Sequence, residues 1–367
     1  MHRLEKVVRK FATLATRSLW SLPKSWAIPL AGVITELPAS IARAKNLDAL
    51  VVYFKPGPTL DNFDYHDCAL VIQGPIQSSR MARDLKSTLD LYRELYPGIK
   101  LVLSTWDNQP HFPDLISEDI EMVVSEDPGF SYPTNLLRQQ VSTLAGLNRA
   151  REIGTSFAIK TRVDHRITAP HAINYLRTVS ELQTNPKFVG SASYGSGLYR
   201  LYGQTEQLQF GSLDNLLDYW STDPLKSLHP IQSDSNQSEL SLSELALAVH
   251  ECRLNVNYLL KLGFPVQWTW DNHLWALREH FVICDSTELG LVLLGRTRNV
   301  RDHVYPWNEV GQNNIEQHLS LADWLIARKG LPFAKVPDRQ ILRDAMKVPL
   351  NEINGALMAT LLNTREQ

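Results

Sequence analysis

The regular alternation of apolar and polar positions begins near residue 69. Ala69 to Gln73, "ALVIQ", is a short unbroken apolar run that predicts a strand buried on both faces. Gly74-Pro75 stops it, and Ser78 or Ser79 is placed to cap a helix reaching about Tyr96. Pro97-Gly98 breaks that helix ahead of a second apolar strand, "IKLVLSTW". Strand, helix and strand of this length make a βαβ unit with parallel strands. "IEMVVS", from Ile120 to Ser125, predicts a third strand, followed by Glu126-Asp127-Pro128-Gly129. Asn135 to Ile153 reads as a helix of mixed polarity, and "SFAIKTRVD", from Ser156 to Asp164, as a fourth strand.

Beyond residue 168 the pattern loosens. A Gly/Tyr-rich stretch runs from Gly190 to Gly203, a short helix lies near Leu213 to Trp220, and a polar loop covers Ser227 to Ser243. A long helix from about Leu242 to Leu262 follows, then a strand "HFVICD", a helix "SLADWLIARKG", and one more helix after Leu331. No internal repeat is present. The expected architecture is α/β, a mostly parallel sheet flanked by helices, with an α-rich C-terminal half. Residues 1–66 form an N-terminal segment and connector. Residues 67–330 form the main domain, divided into 67–168 and 169–330, and 331–367 form a helical tail.

Charge changes the picture mainly at the start. Up to Lys45 the only acids are Glu5 and Glu36, against Arg3, Lys6, Arg9, Lys10, Arg17, Lys24, Arg43 and Lys45. Leu4, Val7, Val8, Phe11, Leu14 and Ala15 recur at helical spacing beside them. This helix either lies in the interface of an anionic membrane or docks on the protein's own core. No apolar run reaches the roughly 20 residues of a membrane span, and Arg17, Pro23, Lys24 and Pro29 disfavour a secretory signal. The net charge of −2 supplies no global basic field, which weighs against nucleic acid as a partner. Three dispersed cysteines suit a reducing compartment. The expected location is cytoplasmic, with peripheral contact to the inner face of the cytoplasmic membrane.

In an open parallel sheet, ligands gather beyond the carboxyl ends of the strands. Those ends are Gln73-Gly74-Pro75, Ser104-Thr105-Trp106-Asp107, Glu126-Asp127-Pro128-Gly129 and Asp164-His165-Arg166. Neither GxGxxG nor GxxxxGK[ST] occurs at the first of them, so a dinucleotide fingerprint and a P-loop are unsupported. A nucleotide would instead be held by side chains, with Asp107 or Asp127 meeting base or ribose and Trp106 offering a stacking face.

Asp164 ends a buried strand and must be solvated, paired or metal-bound. Lys160 and Arg162 share its face at period two, which suits either a plain ion pair or a diphosphate held by two cations beside a metal-anchoring acid. Glu251, beside Leu247, Leu254 and Tyr258 at helical spacing, is a candidate general base, or else an acid paired with His250 or Arg253. Glu206, in "QTEQLQFG", reads locally as an exposed loop acid. The histidines show no metal constellation by spacing, and no GxSxG elbow is present.

The ordered set "ALVIQGPI", "YPGIKLVLSTW", "SEDPG", "NLLRQQVSTLAGL" and "FAIKTRVDHRI" resembles the WavE lipopolysaccharide synthesis family. The resemblance extends over about Ala69 to Leu325. It implies a GT-A-like glycosyltransferase fold, related to the Rossmann fold. It implies a nucleotide-sugar donor and a glycan or lipid-linked glycan acceptor of the lipopolysaccharide or capsule type. By motif position it carries Gln73, Gly74, Pro75, Ser104, Thr105, Trp106, Asp127, Pro128, Gly129, Asn135, Arg138, Lys160, Arg162 and Asp164 to the donor side. Gly211, Glu251, Asp285 and Trp324 match more loosely, and Glu206 stands where Asp is expected.

The usual Asp-x-Asp metal pair is incomplete, because its second member is Arg166. Either a divalent ion (Mn2+ or Mg2+) binds Asp164 with His165, or Arg166, Arg162 and Lys160 neutralise the diphosphate. Asp164, Glu251 and Glu206 are the expected catalytic acids. The contrasting expectation is a non-catalytic membrane-associated scaffold, or a carbohydrate-binding protein, that kept the fold.

Overall fold

The computed structural model describes residues 65–110, 112–129, 136–222, 242, 243, 245, 249–294, 318–333 and 336–346. The expected basic helix of residues 4–15 and the polar tract 233–238 lie outside them.

The first half is built as the apolar runs dictate. β1 (Cys68–Gln73) is buried at every position and β2 (Lys100–Trp106) at all but its first, because layers cover both faces. α1 (Ser79–Leu95) joins them. The Ser78 side chain accepts a hydrogen bond from the Met81 amide, and Ala82, Leu85, Leu89 and Tyr92 repeat along the buried face. β3 (Ile120–Ser125) is half-exposed, as suits an outer strand. α2 (Leu136–Glu152) returns across the sheet to β4 (Phe157–Arg162). Gly146 of α2 lies so close to β1 and β2 that a Cβ there would stand 2.6 Å from Val71 and 3.2 Å from Ser104.

The fourth strand stops two residues short of the expected Asp164. Val163 still donates its amide to Gln73 O, 3.0 Å, but the Asp164 carbonyl turns away and accepts from the Leu294 amide, 2.7 Å. The chain thereby leaves the main sheet. It forms β5 (His165–Ile167), antiparallel to β9 (Leu291–Leu293), so His165 and Arg166 are strand residues rather than loop residues.

The remaining elements are α3 (Ala172–Glu181), β6 (Val189–Ala192), β7 (Gln209–Ser212), α4 (Leu213–Trp220), α5 (His250–Lys261), α6 (Trp270–His280), β8 (Phe281–Cys284), α7 (Leu321–Arg328) and α8 (Arg339–Met346). One seven-stranded sheet, in the order β3-β2-β1-β4-β7-β6-β8, takes strands from both sides of residue 168. Only β7 opposes the other six strands. The mixed α/β, mostly parallel, helix-flanked arrangement is consistent with the expected GT-A-like fold.

The long helix expected from Leu242 to Leu262 is broken. Leu242, Ser243 and Leu245 are helical, but Val249 is extended, and α5 begins afresh at His250. His250 and Glu251 therefore occupy a first helical turn and project into the site instead of lying mid-helix.

His273 of α6 supplies a stability prediction. It is buried, and its Nδ1 accepts the Tyr202 amide at 3.0 Å. Burial pushes its pKa down from 6.5 to about 3. The unfolded chain therefore binds a proton below pH 6.5 that the folded chain refuses. The stability this neutral histidine carries is complete above pH 6.5 and is lost as pH falls toward 3. At pH 5 the loss is about 2 kcal/mol. Chemical denaturation at pH 7 and pH 5 should show this slope, and His273→Gln should flatten it.

Candidate functional site

The strand order reverses direction between β1 and β4. Chain order runs outward from β1 through β2 to β3, then returns to β4 on the other side of β1. Such a switch point opens a crevice beyond the carboxyl ends of the two strands. Gly74 leaves β1 there with φ +135°, and a Cβ on it would meet Val163 at 3.0 Å, so glycine lets the two strand exits approach. Asp164 follows directly. Because β7 runs antiparallel to β4, the residues just before β7 arrive at this same edge, which brings Glu206 beside the end of β4.

Arg162 forks onto Asp164, with Nε to Oδ1 at 2.8 Å and Nη2 to Oδ2 at 3.2 Å, both side chains largely buried. Burial lowers the Arg162 pKa, but the charge and hydrogen bonds of Asp164 more than offset it, and the guanidinium is held above its ordinary value. Lys160 is fully buried, donates to the main-chain oxygen of Glu206, and lies 4.8 Å from the Trp220 ring centroid. Desolvation pushes it down to about 7, with Glu206 opposing. A cation on this strand is thus poised to gain its full charge when an anion arrives.

Glu206 is 1% exposed, which corrects the expectation of an exposed loop acid. The cause lies in the preceding turn. Tyr202 takes the left-handed conformation (φ +56°), and the Thr205 amide bonds Ser196 Oγ at 2.9 Å, folding Glu206 inward. His250 Nε2 then stands 3.3 Å from Glu206 Oε1 and 3.4 Å from Glu251 Oε1. Burial opposes ionisation of both acids. In Glu206 the charges of His250 and Lys160 win and hold it ionised, well below the usual range. In Glu251 burial wins with help from Glu206, and its pKa rises despite His250. The pair of acids lifts His250 to about 9, against desolvation. Two carboxylates of opposite protonation tendency around one imidazole are suited to proton transfer.

Glu206, His250 and Glu251 also present ligand atoms within 4.8 Å of one another, and Glu206 Oε2 is buried without a hydrogen bond. That oxygen–nitrogen set fits a divalent cation such as Mn2+. Asp164 and His165 form a pair at 3.9 Å, without a third ligand of this kind among the described residues. The histidine reading by spacing missed this group, because its three members meet only through the turn at Tyr202 and the break at Val249.

Other expected residues bind the strand ends to one another. Gln73 Oε1 accepts from Ser142 Oγ (3.0 Å), Ser104 Oγ donates to Ser142 O (2.7 Å), and Thr105 Oγ1 donates to Gly74 O (3.0 Å). Pro75 lies half-buried beside them, and Trp106 is 3% exposed, so its ring offers no open stacking face here. Asp127 receives both arms of Arg138 at 2.7 Å at the end of β3, on the far side of β1 and β2 from Arg162. The side chain of Arg138 holds its carboxyl below the usual range. Arg166 points its guanidinium at Thr88 Oγ1 and Asp84 O of α1, both 3.0 Å, which ties β5 to that helix. Gly211 lies in β7, Asp285 accepts the amide of Leu321, the first residue of α7, and the Trp324 indole donates to Leu277 O and Phe281 O. A cavity of about 470 Å³ lined by His66, Arg93, Gly98 and Lys100 lies at the opposite, amino-terminal edge of β2.

Residues 68–299 match the WavE lipopolysaccharide synthesis family, which is more than half of the chain; the chain belongs to this family. Membership supports a glycosyltransferase role. Among curated proteins none matches. Similar solved structures include a mannose-1-phosphate geranyltransferase from Thermus thermophilus, at 18% identity over 34% of this chain and 41% of that one, TM-score 0.24. Another is a glycosyltransferase involved in the glycosylation of the major capsid of PBCV-1, at 11% identity over 64% of this chain and 97% of that one, TM-score 0.31. This chain thus covers less than half the length of the first. Likenesses so distant say nothing about substrate. Among the described residues no helix is long and apolar enough to cross a membrane.

Proposed function

We propose that the chain transfers a sugar from a nucleotide-sugar donor to a glycan or lipid-linked glycan acceptor. The observation that carries this reading is the convergence of Lys160, Arg162, Asp164, Glu206, His250 and Glu251 on one edge of the sheet, at its switch point. Arg162, aligned by Asp164, grips the donor diphosphate, and Lys160 adds a second cation as negative charge develops on departure. Glu251, with its raised pKa, takes the proton of the acceptor hydroxyl; Glu206 stays ionised and keeps His250 charged beside it. Glu206, His250 and Glu251 would hold a divalent cation only with the His250 imidazole neutral, and the ion would then supply Lewis-acid charge in place of the imidazolium. The basic segment at the start of the chain suits an acceptor presented on an anionic membrane surface.

The experiment is transfer from a panel of UDP-, GDP- and CMP-sugars, with and without Mn2+, to lipid-linked and soluble glycans. Nucleotide release coupled to sugar incorporation supports the reading. Absence of both binding and release across the panel supports a scaffold instead.

A further inference from the structure

The two acids and the imidazole between them come from different parts of the chain: Glu206 from the turn before β7, His250 and Glu251 from the first turn of α5. Something must hold that turn and that helix at a fixed distance. We infer that Asn255 is the positioning residue that sets it, a role that rests on the proposed transfer chemistry.

Asn255 is fully buried and lies four residues after Glu251, one helical turn along the same face. Its Nδ2 donates twice, to Tyr202 O at 2.7 Å and to Gln204 O at 2.8 Å. Its Oδ1 accepts from Tyr219 Oη of α4 at 2.8 Å. Both amide hydrogens are therefore spent on the backbone that immediately precedes Glu206, and the oxygen is braced from a third element. An amide carries two donors and one acceptor group in a plane, so no other side chain of this size meets the three partners at once.

The turn that Asn255 grips is one that does not hold itself. Tyr202 sits at φ +56°, a conformation non-glycine residues seldom adopt, and its carbonyl is one of the two that Asn255 binds. The Tyr202 amide is bound by His273, and its hydroxyl donates to Asn272 and Gln267, so the residue is over-determined from more than one side. Beyond Gln204, Ser196 fixes the Thr205 amide and Lys160 fixes the Glu206 carbonyl. Asn255 is the link in this set that comes from the helix bearing Glu251. Releasing it frees Glu206 and His250 to separate, while Arg162 and Lys160 on β4 keep their places.

The test is steady-state kinetics with donor and acceptor varied separately, beside thermal melting, for Asn255→Asp, Asn255→Ser and Tyr219→Phe. Asn255→Asp keeps the shape but sets an oxygen against two carbonyls; Asn255→Ser is the smaller replacement should the first not fold. Tyr219→Phe removes only the brace and leaves both donated bonds. The expected result is a kcat loss of about a hundredfold in the folded Asn255 variants with donor KM within about threefold. In Tyr219→Phe, kcat should stay within about fivefold of wild type at a comparable melting temperature. A kcat that tracks melting temperature alike across the three variants, or an Asn255 variant with wild-type kcat, overturns the inference. Failure of the wild-type chain to transfer sugar overturns the proposed function, a separate outcome.

Discussion

Glu251→Gln should lower kcat about a thousandfold while leaving donor KM within a few-fold of wild type. The amide has the shape of the carboxylic acid but takes up no proton, and a positioned base contributes roughly 10²–10⁴ to such a step. Its stability should change little, because burial already disfavours the Glu251 carboxylate and raises its pKa, so Gln gives up little favourable charge there. Glu206→Gln offers the contrast. Glu206 is held ionised by His250 and Lys160, so the amide removes a charge that both of them face. That variant should lose stability as well as turnover. Steady-state rates and thermal melts of both variants, with and without Mn2+, make the comparison. Turnover of Glu251→Gln within about tenfold of wild type removes Glu251 from the reaction.

Asp164→Asn should raise donor KM about a hundredfold and also destabilise the protein. The loss of stability follows because Asp164 accepts both arms of a largely buried guanidinium. Removing one charge from such a pair costs about 3 kcal/mol, most of it the penalty on the partner left behind. The kinetic effect follows from the same geometry, because Arg162 loses the alignment with which it meets phosphate. Isothermal titration with a nucleoside diphosphate separates the two effects. Unchanged diphosphate affinity in a destabilised Asp164→Asn would make the pair purely structural.

The first half of the fold was legible because its strands are buried on both faces and announce themselves as unbroken apolar runs. β1, β2 and β3 begin or end within a residue of where the pattern puts them, and Ser78 caps α1 as its position implied. β5 and β9 were not legible: three residues each, they exist through pairing between distant parts of the chain. The reversed direction of β7 and the extended backbone at Val249 are likewise set by tertiary contact, and no local residue marks either.

At the site, the type of residue was readable and the surroundings were not. Glu251 and Glu206 were identified from the chain, but Glu206 looked exposed because its burial depends on the left-handed turn at Tyr202 and on bonds to Ser196 and Lys160. His250 was seen only as a neighbour of Glu251. Its place between two acids needed the helix to start at His250, where sequence periodicity ran straight through. Arg166, read as a phosphate ligand from its place after Asp164, is carried by β5 onto α1 instead. The strand-end residues Gln73, Ser104 and Thr105 were grouped correctly in space, yet their side chains join the strand exits to one another.

A crystal structure of the chain soaked with a nucleoside diphosphate sugar would decide where the donor sits. The diphosphate is expected beyond the carboxyl ends of β1 and β4, within hydrogen-bonding distance of Arg162. Density for it in the cavity beside His66 and Arg93, at the other edge of the sheet, with the Arg162–Asp164 pair undisturbed and empty of ligand, would contradict the account.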